Sequence, residues 1–104
     1  MTELNVIPEA LLGASAQISG IVGRMVAAHA THAVAMAEVL PPGSDLPSID
    51  LAFSLIGHGV AHEAAAQLGN LALGASGMEV AESAINYTIV DNLGAAANSA
   101  AAGV

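Results

Sequence analysis

The sequence predicts an all-α fold, a long antiparallel two-helix hairpin that completes a four-helix bundle with a partner chain. Three observations carry this expectation. Apolar residues make up 55% of the chain but aromatics only 2%, so most apolar positions hold alanine, the strongest helix former. One segment, Pro41-Pro42-Gly43-Ser44-Asp45-Leu46-Pro47, divides two long stretches whose only other proline is Pro8. On both sides of that segment apolar residues return at helical spacing.

Helix 1 is expected over about 8–40. Pro8 suits the first turn, where a backbone N–H is not needed, and Glu9 beside it favours the positive end of the helix dipole. Ile7, Leu11, Ile18, Val22, Met25, His29, His32, Met36 and Leu40 fall within one narrow arc at 100° per residue. Glu9, Gly13, Gln17, Gly20, Arg24, Thr31 and Glu38 take the opposite arc. The turn is expected at 41–47, because proline within a helix costs about 3 kcal/mol or more. Helix 2 is expected over about 48–92, with Ser48 as its N-cap and Asp50 in its first turn. Residues 1–93 then form one helical hairpin, and the Ala/Gly-rich 94–104 a flexible tail with no large side chain to pack before Val104.

Helix 2 carries two apolar stripes. One is Ile49, Phe53, Ile56, Val60, Leu71, Met78, Ile85 and Ile89; the other is Leu51, Leu55, His62, Leu73, Val80 and Tyr87. A helix in a two-helix hairpin buries one stripe against its neighbour, so the second must meet something else. Spacing alone does not choose between them. A chain this small, with few large side chains, is marginal by itself. The expected bundle and partner interface is Leu11, Ile18, Val22 and Met25 with Phe53, Ile56, Leu71, Met78 and Ile85. Glycines inside both helices either permit close helix approach or record low helix stability without the partner.

Composition excludes several functions. Nine acids face a single base, Arg24, for a net charge of −8. Phosphate neutralisation needs several Lys or Arg, so nucleic acid is not an expected partner, nor is an anionic membrane surface. No cysteine is present, which removes disulfides and thiolate metal sites. No secretory signal is visible at the start of the chain, and no transmembrane segment is expected, because His, Gly, Ser or charge interrupts each apolar run. There is no Gly-x-Ser-x-Gly elbow and no lysine for a Walker A loop. The chain is therefore read as non-enzymatic, with no catalytic residue and no cofactor.

Two motifs bracket the hairpin: Pro8-Glu9 within Val6-Ile7-Pro8-Glu9-Ala10-Leu11, and Tyr87-Thr88-Ile89-Val90-Asp91. With the alanine-rich body, the stretch Arg24-Met25-Val26-Ala27-Ala28-His29-Ala30 and the Val39-Leu40-Pro41-Pro42 turn, the whole chain resembles the PE family of mycobacterial proteins. The resemblance implies a one-to-one heterodimer with a PPE-family protein, which supplies the other two helices of the bundle. It implies an EspG-type chaperone that grips the PPE subunit, and export by a type VII (ESX) system whose secretion ATPase reads a Tyr-x-x-x-Asp/Glu signal, here Tyr87 and Asp91. It also implies a place at the cell surface or envelope, or outside the cell, with host interaction or nutrient uptake as the role. Spacing alone says only that Tyr87 and Asp91 share one helix face, and by itself it favours Tyr87 simply packing at the bundle end.

Four histidines remain: His29 and His32 on helix 1, His58 and His62 on helix 2. Pairs at i, i+3 and i, i+4 suit a divalent metal, with Glu63 nearby; an ordinary role, with His29 and His32 in the apolar stripe, suits them better, and no metal is expected. A rival function follows from them, a homodimeric intracellular bundle that binds metal or senses pH through these histidines.

Overall fold

The computed structural model describes residues 3–103. Two helices make up the structure, α1 (Pro8–Ala37) and α2 (Leu46–Ala101), and no strand occurs among the described residues. They form a helical hairpin. The chain divides into two compact units, one joining the chain up to Ser19 with the chain from Gly74 onward, the other Gly20–Leu73.

The helix ends follow from local chemistry. Pro8 opens α1, and the Ile7 carbonyl accepts from Ala10 N (3.0 Å) and Leu11 N (3.3 Å). The sequence carries helix 1 to about Leu40, but α1 ends at Ala37. The carbonyls of Ala37 and Glu38 would need N–H donors from positions 41 and 42, and both are proline. The last turn therefore closes with Glu38 N on the Val34 carbonyl (3.0 Å).

The start of α2 also differs from expectation. Asp45, not Ser48, is its N-cap. One Asp45 carboxylate oxygen accepts from Ser48 N (3.3 Å), the other from Ser48 Oγ (2.8 Å), and the Asp45 carbonyl accepts from Ile49 N (3.2 Å). Pro47 falls in the first turn, where its missing N–H costs nothing, so the helix begins before it. These contacts, the Ser48 hydroxyl first, hold the exposed Asp45 carboxyl below the usual carboxylate range. At its other end α2 passes the expected stop near residue 92 and continues to Ala101, where Gly103 takes a left-handed conformation (φ 72°) and closes the helix. Alanine propensity sustains this last stretch, since its side chains are exposed.

The helix faces are set by a seven-residue recurrence. On α1, Pro8, Ser15, Val22, His29 and Met36 are half-buried, as are Leu11 and Ile18. On α2, every seventh residue from Ile49 faces inward: Ile49, Ile56, Glu63, Asn70, Gly77 and Ala84, with Ala52, Gly59, Ala66, Leu73 and Val80 between them. In the Gly20–Leu73 unit, a methyl group at Gly59 would lie 3.1 Å from Met36 Cβ. In the other unit, one at Gly77 would lie 2.8 Å from Ile18 Cγ2, and Ser15 Oγ donates to the Gly77 carbonyl at 2.7 Å. Small residues thus let the two backbones approach closely.

This arrangement resolves the choice between the two stripes of helix 2: neither faces α1. The inner face takes Ile49 and Ile56 from one, Leu73 and Val80 from the other, and otherwise small or polar residues. The large side chains turn outward. Phe53, Leu71, Met78 and Ile85 are 69%, 71%, 73% and 53% exposed.

One expectation about membranes is also corrected. α1 is long and apolar enough, at mean hydropathy 1.3 over its most apolar window, to cross a membrane by length and composition. Alanine, valine and isoleucine outweigh the His, Gly and Ser that interrupt the run. The same composition suits a bundle helix with apolar residues on more than one face.

Candidate functional site

The unit that joins the chain up to Ser19 with the chain from Gly74 holds both sequence motifs. Tyr87 and Asp91 stand on successive turns of α2, with Asp91 exposed and Tyr87 38% exposed. Leu4, Asn5 and Val6 join Tyr87, Val90 and Asp91 around a shallow cavity of about 320 Å³. Tyr87 also lines a second cavity of about 310 Å³ with Ser83, Asn86 and Val90. The flanking hydroxyls are already engaged: Ser83 Oγ donates to the Glu79 carbonyl and Thr88 Oγ1 to the Ala84 carbonyl, both at 3.0 Å. Tyr87 and Asp91 are thus the distinctive polar groups presented here. An aromatic ring and a carboxylate one turn apart form a composite surface that a partner can read through stacking, hydrogen bonding and charge together.

Sequence reasoning missed Leu4–Val6 in this site. Ile7 precedes a proline and is held extended, so the residues before it run outside the helix and carry no helical periodicity to read. Pro8 is half-buried at the first turn of α1, and Glu9 is exposed beside it.

The expected interface residues separate into two groups. Leu11, Ile18, Val22 and Ile56 are half-buried on the inner faces, whereas Met25, Phe53, Leu71, Met78 and Ile85 are exposed.

The histidines lie in the Gly20–Leu73 unit. His29 Nδ1 is 3.3 Å from Glu63 Oε2, and Glu63 Oε1 accepts from Gln67 Nε2 at 2.6 Å. The His29 and His62 rings are 6.1 Å apart and tilted by 50°. His29, His32 and His62 line one cavity, while His58 is exposed and lies outside it. Among the described residues, no group of three or more His, Asp or Glu side chains stands close enough to hold a metal ion. The four-histidine site allowed by spacing therefore does not assemble among the described residues.

Asn70 is the buried polar residue of the inner face, 3% exposed, and neither its Oδ1 nor its Nδ2 finds a hydrogen-bond partner. A polar side chain in a helix seam disfavours alternative registers at a cost in stability.

The comparisons with known proteins agree with one another. A family model described as the PE family matches residues 4–94. The PE family immunomodulator PE15 of Mycobacterium tuberculosis, in strains H37Rv and CDC 1551 / Oshkosh, is 47% identical over 93 residues, covering 89% of this chain and 91% of the relative. The PE family immunomodulator PE5 of strain H37Rv is 37% identical over the same length and coverage. No solved structure matches.

Proposed function

Since the chain belongs to the PE family, we propose that it is a non-enzymatic interaction module that pairs one-to-one with a PPE-family protein and is exported by a type VII (ESX) system. The observation that carries the pairing is the outward row of large apolar side chains on α2. Phe53, Val60 and Leu71 in one unit, and Met78 and Ile85 in the other, are spaced by seven or eleven residues, the repeat of a second helix-packing stripe. Exposed rows of this kind mark an interaction surface. In this reading two PPE helices cover the row, an EspG-type chaperone grips the PPE subunit, and Tyr87 with Asp91 is the signal read by the secretion ATPase. The relatives bear the name immunomodulator, which supports a role at the cell envelope or in host interaction after export.

Size-exclusion chromatography with light scattering, on the chain alone and co-expressed with a PPE-family protein, tests the pairing. A stable 1:1 complex, with the lone chain aggregated, is expected. A clean homodimer that ignores the PPE chain overturns the pairing and favours the rival bundle. Tyr87→Ala is expected to abolish export while leaving the complex intact, and normal export of that variant refutes the signal.

A further inference from the structure

The histidine cavity of the Gly20–Leu73 unit shares no lining residue with the apolar row or with the Tyr87 and Asp91 pair. It is an open groove of about 570 Å³ between α1 and α2, with His32, His62 and Leu55 exposed on its rim. His29 and His32 from α1 and His62 from α2 supply its polar edge; Met36, Val39 and Leu55 belong to its apolar wall. In a chain with a single Arg and no Lys, histidines are the remaining side chains able to become cationic. Three of the four converge here, and no carboxylate lines the cavity. The nearby acid, Glu63, is directed to His29 Nδ1 and Gln67. The segment between the helices adds Val39 and no charge to the lining.

Donors on one edge and apolar side chains on the rest match a ligand with a carboxylate head and a hydrocarbon body. We propose that this cavity binds an amphiphilic carboxylate of the fatty-acid class. The head accepts hydrogen bonds from the His32 and His62 imidazoles, and the chain lies against Met36, Val39 and Leu55. An acidic peptide is the poorer fit, because the wall offers apolar side chains where a peptide backbone needs polar partners.

The test titrates decanoate into the full-length chain, in whatever assembly it purifies in, following histidine ring signals by NMR. The expected result is saturable movement of the His32 and His62 signals, with affinity roughly tenfold above that for decanol, the scale of one charge-assisted hydrogen bond. His32→Leu with His62→Leu is expected to remove that preference, and Leu55→Asp to abolish binding. Gln17→Ala, exposed on α1 away from the groove, is expected to leave binding unchanged. Equal binding of decanol, loss of binding in Gln17→Ala, or no movement of the histidine signals each overturns the proposal. So does tight stoichiometric binding of zinc by the same three imidazoles, which assigns them to a metal.

Discussion

Asp45 shows how much chemistry a single exposed side chain sets. Its carboxylate caps α2 through both the amide and the hydroxyl of Ser48. Because these contacts depress its pKa in the folded chain, the stabilisation is present above the unfolded carboxylate value of about 3.9 and is lost as pH falls through the lower folded value. NMR of the Ser48 amide is expected to show the cap opening only on acidification below about pH 4. Asp45→Asn should keep the cap and remove that pH dependence, while Asp45→Ala should fray the first turn of α2 at every pH. The cap was half legible in the sequence. Asp45 and Ser48 are both N-cap residue types, and the choice between them rested on Pro47. A proline reads as a break, yet within a first turn it is a normal helical residue. Tyr87 and Asp91 stood out through the family resemblance, since their spacing alone favours simple packing of Tyr87. Leu4–Val6 was not legible, because an extended segment outside the helix leaves no periodicity.

At the scale of the helices, the decisive feature is their close approach through small residues. Gly77 and Gly59 sit against Ile18 and Met36, whereas a methyl group at Gly69 would meet nothing within 4 Å. Gly77→Ala is therefore expected to destabilise the chain by about 1–3 kcal/mol through the clash with Ile18, whose branched Cβ cannot rotate away. The gain in helix propensity, up to about 1 kcal/mol, offsets only part of this. Gly69→Ala should show that gain alone. Thermal denaturation of both variants in one assembly state checks the pair, and a stabilised Gly77→Ala contradicts the packing described. Sequence reasoning placed both helices and the break between them. It also placed the inner face of α1 largely correctly, because Leu11, Ile18, Val22, His29 and Met36 are large and periodic. It misplaced the inner face of α2, because hydrophobic periodicity weighs side-chain size. The residues that face α1 at Gly59, Gly77 and Ala84 have almost no side chain to weigh.

For the molecule as a whole, burial is small. Among the described residues the fully buried apolar positions are only Ala52 and Ala84, too little to hold the chain at normal stability alone. Met78→Asp is expected to abolish recovery of the PPE complex in the chromatographic assay, because a carboxylate buried without a partner costs several kcal/mol. Intact complex from that variant would place the interface elsewhere.

Composition and periodicity by themselves determined that this chain is helical, that it breaks once between residues 37 and 46, that it holds more apolar stripes than two helices can bury, and that it carries the motifs of its family. These are local properties, written in residue type and spacing. The tertiary structure decided which face turns inward, which histidines meet, and that the N-terminal segment completes the Tyr87 surface. Those outcomes depend on how near two backbones come. That distance is set by the smallest residues on each helix, which hydropathy patterns register least.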